Sequence, residues 1–118
     1  MLLARLSQQI VGVKYYQGLV GFNEQVNLVR EPGNKYDMNA IRAMNMAGVQ
    51  IGHVRATIAQ RFARLVDAGL IRLEGTMMDE VSPRYRPYEL QINIYVYGRP
   101  SDRASLTYVS LCCICTHR

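Results

Sequence analysis

Several signatures are missing from this 118-residue chain. No apolar run reaches the roughly 18 residues that a membrane helix needs, so no membrane partner is expected. The opening Met1-Leu2-Leu3-Ala4-Arg5 is broken by charge and followed by Gln8-Gln9, which makes a poor secretory leader. A cytosolic or nuclear protein is the default. No glycine-rich phosphate loop leads into Lys-Ser or Lys-Thr, and no nucleophile elbow occurs. The 9 acidic residues are scattered, so a two-metal nuclease site is hard to assemble. The length fits one domain and is too short for a motor ATPase. Cysteine is confined to Cys112, Cys113 and Cys115, near His117. Four zinc ligands are conceivable there, but adjacent cysteines do not make the two separated pairs that zinc sites use. No enzyme activity, metal or cofactor is expected.

What is present points to a packed basic domain. Hydrophobic residues make up 49% of the chain, which argues against disorder. The net charge is +5 and the pI about 9.4, a balance that favours phosphate-bearing partners. The cations are mostly arginine, which contacts phosphate through a planar fork.

Strand patterns dominate. Gln9 to Tyr16 is β-branched and aromatic, with Gly12 marking a bulge or bend. Gln25 to Arg30, Ala40 to Met46, and Val49 to Val54 read as three more strands, the last two joined by a hairpin at Ala47-Gly48. Thr57 to Ala68 carries Ile58, Phe62, Leu65 and Val66 at helical spacing, and Gly69 follows as a C-cap. Leu70 to Met77 is a fifth strand. Asp79 to Pro87 is a polar loop, and Tyr88 to Tyr97 alternates cleanly, with Leu90, Ile92, Ile94 and Val96 on one face. Short connections between many strands predict a mainly β fold: a small, OB-like, partly open barrel covered by one main helix. The domain is expected over residues 1–100 with its core at about 10–98. Residues 101–118 change character and read as an apolar, loosely ordered tail. A second reading takes that tail as a misassigned gene end, which mass-spectrometric detection of the full-length peptide would refute.

Two places combine aromatic rings with charge. Lys14-Tyr15-Tyr16 ends the first strand, and Pro32-Gly33-Asn34 delivers Tyr36 and Asp37 side by side before the next strand begins. Each has two readings. Alternation on a strand sends one of the two neighbouring tyrosines inward, and the other then stands exposed beside a lysine. Exposed rings next to cations form a stacking platform for single-stranded nucleic acid. Asp37 either accepts a hydrogen bond from a ligand hydroxyl or caps a backbone N–H of its own turn, a task that falls more naturally to Asn39. His53 is either a satisfied, semi-buried ring or a ligand contact.

Together, these residues resemble a HIRAN domain, the N-terminal module of helicase-like transcription factor and related SNF2-type DNA translocases. The resemblance runs from about Ile10 to Gly98 and stops short of the tail. It implies the same OB-like barrel. It also implies that Tyr15 and Tyr36 sandwich bases at a 3′ end of single-stranded DNA, and that Asp37 accepts a hydrogen bond from the free 3′-hydroxyl. Lys14 matches a phosphate-contacting position that is usually arginine, and lysine there loses the bidentate geometry. His53, in the family's Gly-His pair with Gly52, lies near bound phosphates, and Arg55 offers another phosphate contact. Asn34 matches an asparagine beside the binding tyrosine. Lys35 replaces a frequent proline. Ala56 stands where a second basic residue is common, which removes one phosphate contact. Tyr88, rather than Tyr85, falls near an aromatic that lines the groove.

The implied function is capture of 3′ ends of single-stranded DNA in replication-fork remodelling and damage tolerance. An SNF2-type motor, in cis or in trans, is then the partner, and the location is nuclear in a eukaryote and cytoplasmic otherwise. Two alternatives stand beside it: a basic barrel that binds an acidic protein, and a truncated remnant of a translocase.

Overall fold

The computed structural model describes residues 1–102. Six strands and one α-helix follow one another: β1 Leu2–Val11, β2 Gln25–Arg30, β3 Ile41–Met44, β4 Gln50–Val54, α1 Ala56–Asp67, β5 Ile71–Met77 and β6 Leu90–Gly98. All strand pairs are antiparallel, in the order β1-β4-β3-β2-β5-β6. The mainly β, one-helix expectation holds. Closure goes further than a partly open barrel, because β1 bonds to β6 along most of its length and to β4 at Ile10 and Val11. A closed sheet has no free edge to protect.

Alternation built the barrel as the side chains require. Leu90, Ile92, Ile94 and Val96 are buried, while Gln91, Asn93, Tyr95 and Tyr97 alternate with them. Their main partner is β1, where Leu6 and Ile10 point the same way and pair with Ile94 and Leu90. β1 begins at Leu2, well before the expected Gln9, since Leu2 and Ala4 register against Tyr97 and Val96. The polar Gln8-Gln9 pair hid this stretch, although Gln8 is itself buried. α1 places Ile58, Ala59, Phe62, Ala63 and Leu65 against the barrel. It ends in a Schellman motif: Gly69, at φ 74°, donates to the Val66 carbonyl, and Leu70 N–H reaches Leu65 O.

One expected strand segment is something else. Lys14 and Tyr15 lie in a short 3-10 turn, Val13–Tyr15, with Tyr16 just after it. Gly12, at φ 69°, breaks β1 and starts the turn, and Tyr15 N–H closes it onto Gly12 O. A turn shows both neighbouring rings to one region, where a strand would have sent them to opposite faces. The cysteine-bearing tail lies outside the described residues.

Candidate nucleic-acid interface

A loop, a turn and a strand end meet around one groove of about 290 Å³. Its lining includes Tyr16, Asn34, Tyr36, Asp37, His53 and Ala56.

The loop between β2 and β3 is fastened from within. Glu31 N–H donates to Ala40 O across its base, and Asn34 N–H to Glu31 O. The Asn34 side-chain oxygen then accepts from the backbone N–H groups of Tyr36 at 2.9 Å and Asp37 at 3.1 Å. Asp37 Oδ1 accepts from Asn39 N–H at 2.9 Å. The turn-holding role expected of Asn39 therefore falls to Asn34 and Asp37. An asparagine and an aspartate accept readily from backbone N–H groups two residues on. Oδ2 of Asp37 carries no partner among the described residues. Tyr36 stands 87% exposed on this stiff support, with Lys35 Nζ 5.3 Å from its ring centre.

Val11 and Tyr16, which flank the 3-10 turn Val13–Tyr15, also line the groove, and the turn itself stands beside that lining. Tyr15 is 86% exposed, and Lys14 Nζ lies 4.6 Å over the ring of Tyr88, itself exposed. Arg86 pins the turn from the loop before β6, donating to Val13 O at 2.8 Å and Gly18 O at 2.9 Å. Burial pushes its guanidinium pKa down from the ordinary value. Arg55, the residue before α1, donates to Glu89 at 2.9 Å and to the Gln9 side chain. A phosphate drawn to Arg55 must therefore compete with Glu89.

His53 is a satisfied ring. Its Nε2–H donates to Glu31 Oε1 at 2.5 Å, and Nδ1 faces the Tyr16 hydroxyl at 3.3 Å. Tyr16 packs edge-on against the imidazole. Burial and the Glu31 charge raise the pKa of the Tyr16 hydroxyl. Partial burial raises the Glu31 carboxyl, but hydrogen bonds from His53 and Asn34, with the charges of His53 and Arg42, outweigh it and hold Glu31 below its ordinary value. A carboxylate depressed in this way stabilises the fold above the unfolded value, and the effect is lost as pH falls through the folded value. Stability is therefore expected to drop below about pH 4.5, the ordinary glutamate value. Glu31→Gln should flatten that drop in urea midpoints measured from pH 6 to pH 3, and parallel curves would count against this role.

The structure thus gathers Asn34, Tyr36, Asp37 and His53 around the groove, pairs Lys14 with Tyr88, and sets Tyr15 next to the groove-lining Tyr16. The sequence reading missed Tyr16, Glu31, Arg30 and Arg86 as parts of the site. Arg30 gave the only usable signal: an arginine on the inward face of β2, beside Val26 and Leu28, needs a partner.

A closed barrel with exposed tyrosines and a loop-held carboxylate beside one groove is a small ligand-recognition module. The chain belongs to the HIRAN domain family, whose description, "HIRAN domain", matches residues 4–101. Helicase-like transcription factor of Homo sapiens is 40% identical over 107 residues, covering 91% of this chain and 10% of that protein. A putative SWI/SNF-related matrix-associated actin-dependent regulator of chromatin subfamily A member 3-like 1 of Arabidopsis thaliana is 41% identical over 90 residues, 76% of this chain and 10% of that one. The chain therefore spans about a tenth of the length of these relatives. Among solved structures, the crystal structure of the HIRAN domain of human HLTF matches with TM-score 0.82 at 30% identity, over 92% of this chain and 87% of that one. The NMR structure of the HLTF HIRAN domain in its DNA-bound conformation matches with TM-score 0.74 at 31% identity, over 93% and 88%.

Proposed function

We propose that this chain binds DNA by capturing the free 3′-hydroxyl end of a single strand. The observation that carries the proposal is Asp37: its backbone is locked by Asn34, one carboxylate oxygen is used internally, and the other has no partner among the described residues, next to the exposed ring of Tyr36. A terminal hydroxyl can donate to that oxygen, whereas an internal phosphodiester has no donor and brings a second negative charge. Tyr15 and Tyr36 stack the terminal bases, and Lys14, Arg55 and the face around His53 and Tyr88 hold the phosphates. Capture involves no chemistry. The DNA-bound conformation of a HIRAN domain of the same fold supports this reading. In a longer protein the module would bring an SNF2-type motor to exposed 3′ ends, as at stalled replication forks, and in a eukaryote it would work in the nucleus.

Fluorescence anisotropy tests this with four probes: a free 3′-hydroxyl strand, a 3′-phosphate strand, a recessed duplex end and a circular single strand. The free, unpaired hydroxyl is expected to bind best. A hydrogen bond to a charged group contributes about 1.5–3 kcal/mol, roughly 10- to 100-fold in affinity. Asp37→Ala should remove that preference over 3′-phosphate. Equal preference in variant and wild type rejects the role of Asp37. Equal wild-type binding to all four probes reduces the site to a generic basic surface. No binding at all would favour the acidic-protein partner.

A further inference from the structure

Arg30 ends β2 with its side chain largely buried, and its guanidinium fork faces two ways. Toward α1, Nε and Nη2 donate to the two carboxylate oxygens of Asp67 at 2.8 and 2.9 Å. Toward the site loop, Nη1 donates to Ala40 O at 2.8 Å and Nη2 to Met38 O at 2.9 Å. These two carbonyls flank the short stretch between Asp37 and β3. Asp67 is the last residue of α1, where a negative charge opposes the helix dipole. A carboxylate at that end is unfavourable alone, and the bidentate arginine offsets it. Asp67 is thus fitted to hold Arg30, and Arg30 to hold the loop. Lysine cannot replace this arrangement, because an ammonium lacks the planar fork that reaches a carboxylate and two carbonyls at once.

We propose that Arg30, locked by Asp67, is the positioning residue that fixes the Tyr36–Asp37 loop against α1 and thereby sets how strongly Asp37 discriminates a terminal hydroxyl. This rests on the end-capture reading above. A carboxylate–hydroxyl bond has a narrow distance range, about 2.5–3.0 Å, so a loop free to drift loses selectivity before it loses general affinity. Arg30 also lies within electrostatic reach of Asp37.

Two variants, Arg30→Lys and Asp67→Asn, are measured in two ways. In the free protein, hydrogen exchange at the Asn39 and Ala40 amides reports the loop. With DNA, the ratio of dissociation constants for 3′-phosphate and 3′-hydroxyl strands reports discrimination. Arg30→Lys is expected to speed loop exchange at least tenfold and to lower the ratio at least fivefold. Asp67→Asn should move both the same way by less, and Arg72→Gln, on β5 outside the groove, should move neither. Unchanged loop exchange overturns the proposal. So does faster exchange with an intact ratio, since lowered stability alone leaves the discrimination of the folded protein untouched. If Arg30→Lys does not fold, Asp67→Asn decides by the same criteria. A wild type without end preference would overturn the end-capture reading instead, and loop exchange would still decide the brace.

Discussion

Alanine at both Tyr15 and Tyr36 is expected to weaken binding of a short single strand by about 30-fold or more. Stacking one base on an aromatic ring contributes roughly 1–3 kcal/mol, and two rings about twice that, at a tenfold change in affinity for each 1.4 kcal/mol. Little of the loss should come through the fold. The rings are 86% and 87% exposed, and exposed substitutions typically change stability within about 0.5 kcal/mol. The Tyr36 N–H that the loop needs is kept by any residue placed there. Phenylalanine supplies the decisive contrast. If the faces of the rings bind, Tyr15→Phe and Tyr36→Phe should stay within about threefold of wild type, because a phenyl face still stacks. A phenylalanine loss as large as the alanine loss would move the role to the hydroxyls. A double-alanine variant that binds within threefold of wild type would make both rings bystanders. Melting temperatures of the three variants, measured alongside, separate lost stacking from lost fold.

The fold was more legible than the organisation of the site. Period-two alternation in β6 and 3.6-residue spacing in α1 are local signals, and both elements lie within two residues of where they were expected. β2 falls at Gln25–Arg30 as read. The start of β1 was hidden because Gln8 is a polar residue in an inward position, and a period-two reading stops at such a residue. Closure of the barrel depends on register between β1 and β4, strands distant in sequence, and no local pattern encodes it. At the site, Tyr36, Asp37 and Asn34 stood out because a turn signal sits beside them. Their division of labour did not, since it depends on which carboxylate oxygen meets which N–H. Arg30 and Arg86 act through backbone carbonyls, which look the same in any sequence. Glu31 and His53 are 22 residues apart, and only the β2-β3-β4 pairing brings them together.

Gly52→Ala is expected to be among the most destabilising single-methyl additions in the molecule. Gly52 lies on β4 where that strand closes the barrel against the end of β1. A methyl group on its Cα would sit 2.6 Å from Val11 O and 2.8 Å from Ile10 Cγ2. The first neighbour is backbone in the closing seam, and no side-chain rotation relieves it. Inserting a methylene into a packed site costs about 1–3 kcal/mol, occasionally more, and a backbone neighbour places this change at the upper end. For a domain of this size each kcal/mol lowers the melting temperature by roughly 4–8 °C, so a fall on the order of 10–20 °C is the expected result. The effect should reach the site as well. Val11 pairs with His53, the next residue, so widening the seam shifts the imidazole that spans Glu31 and Tyr16. Binding of the 3′-hydroxyl strand should weaken even at temperatures where the variant is fully folded. A melting temperature within about 3 °C of wild type would mean that β1 and β4 stand apart at this point, and the barrel would then be open at the edge that borders the groove.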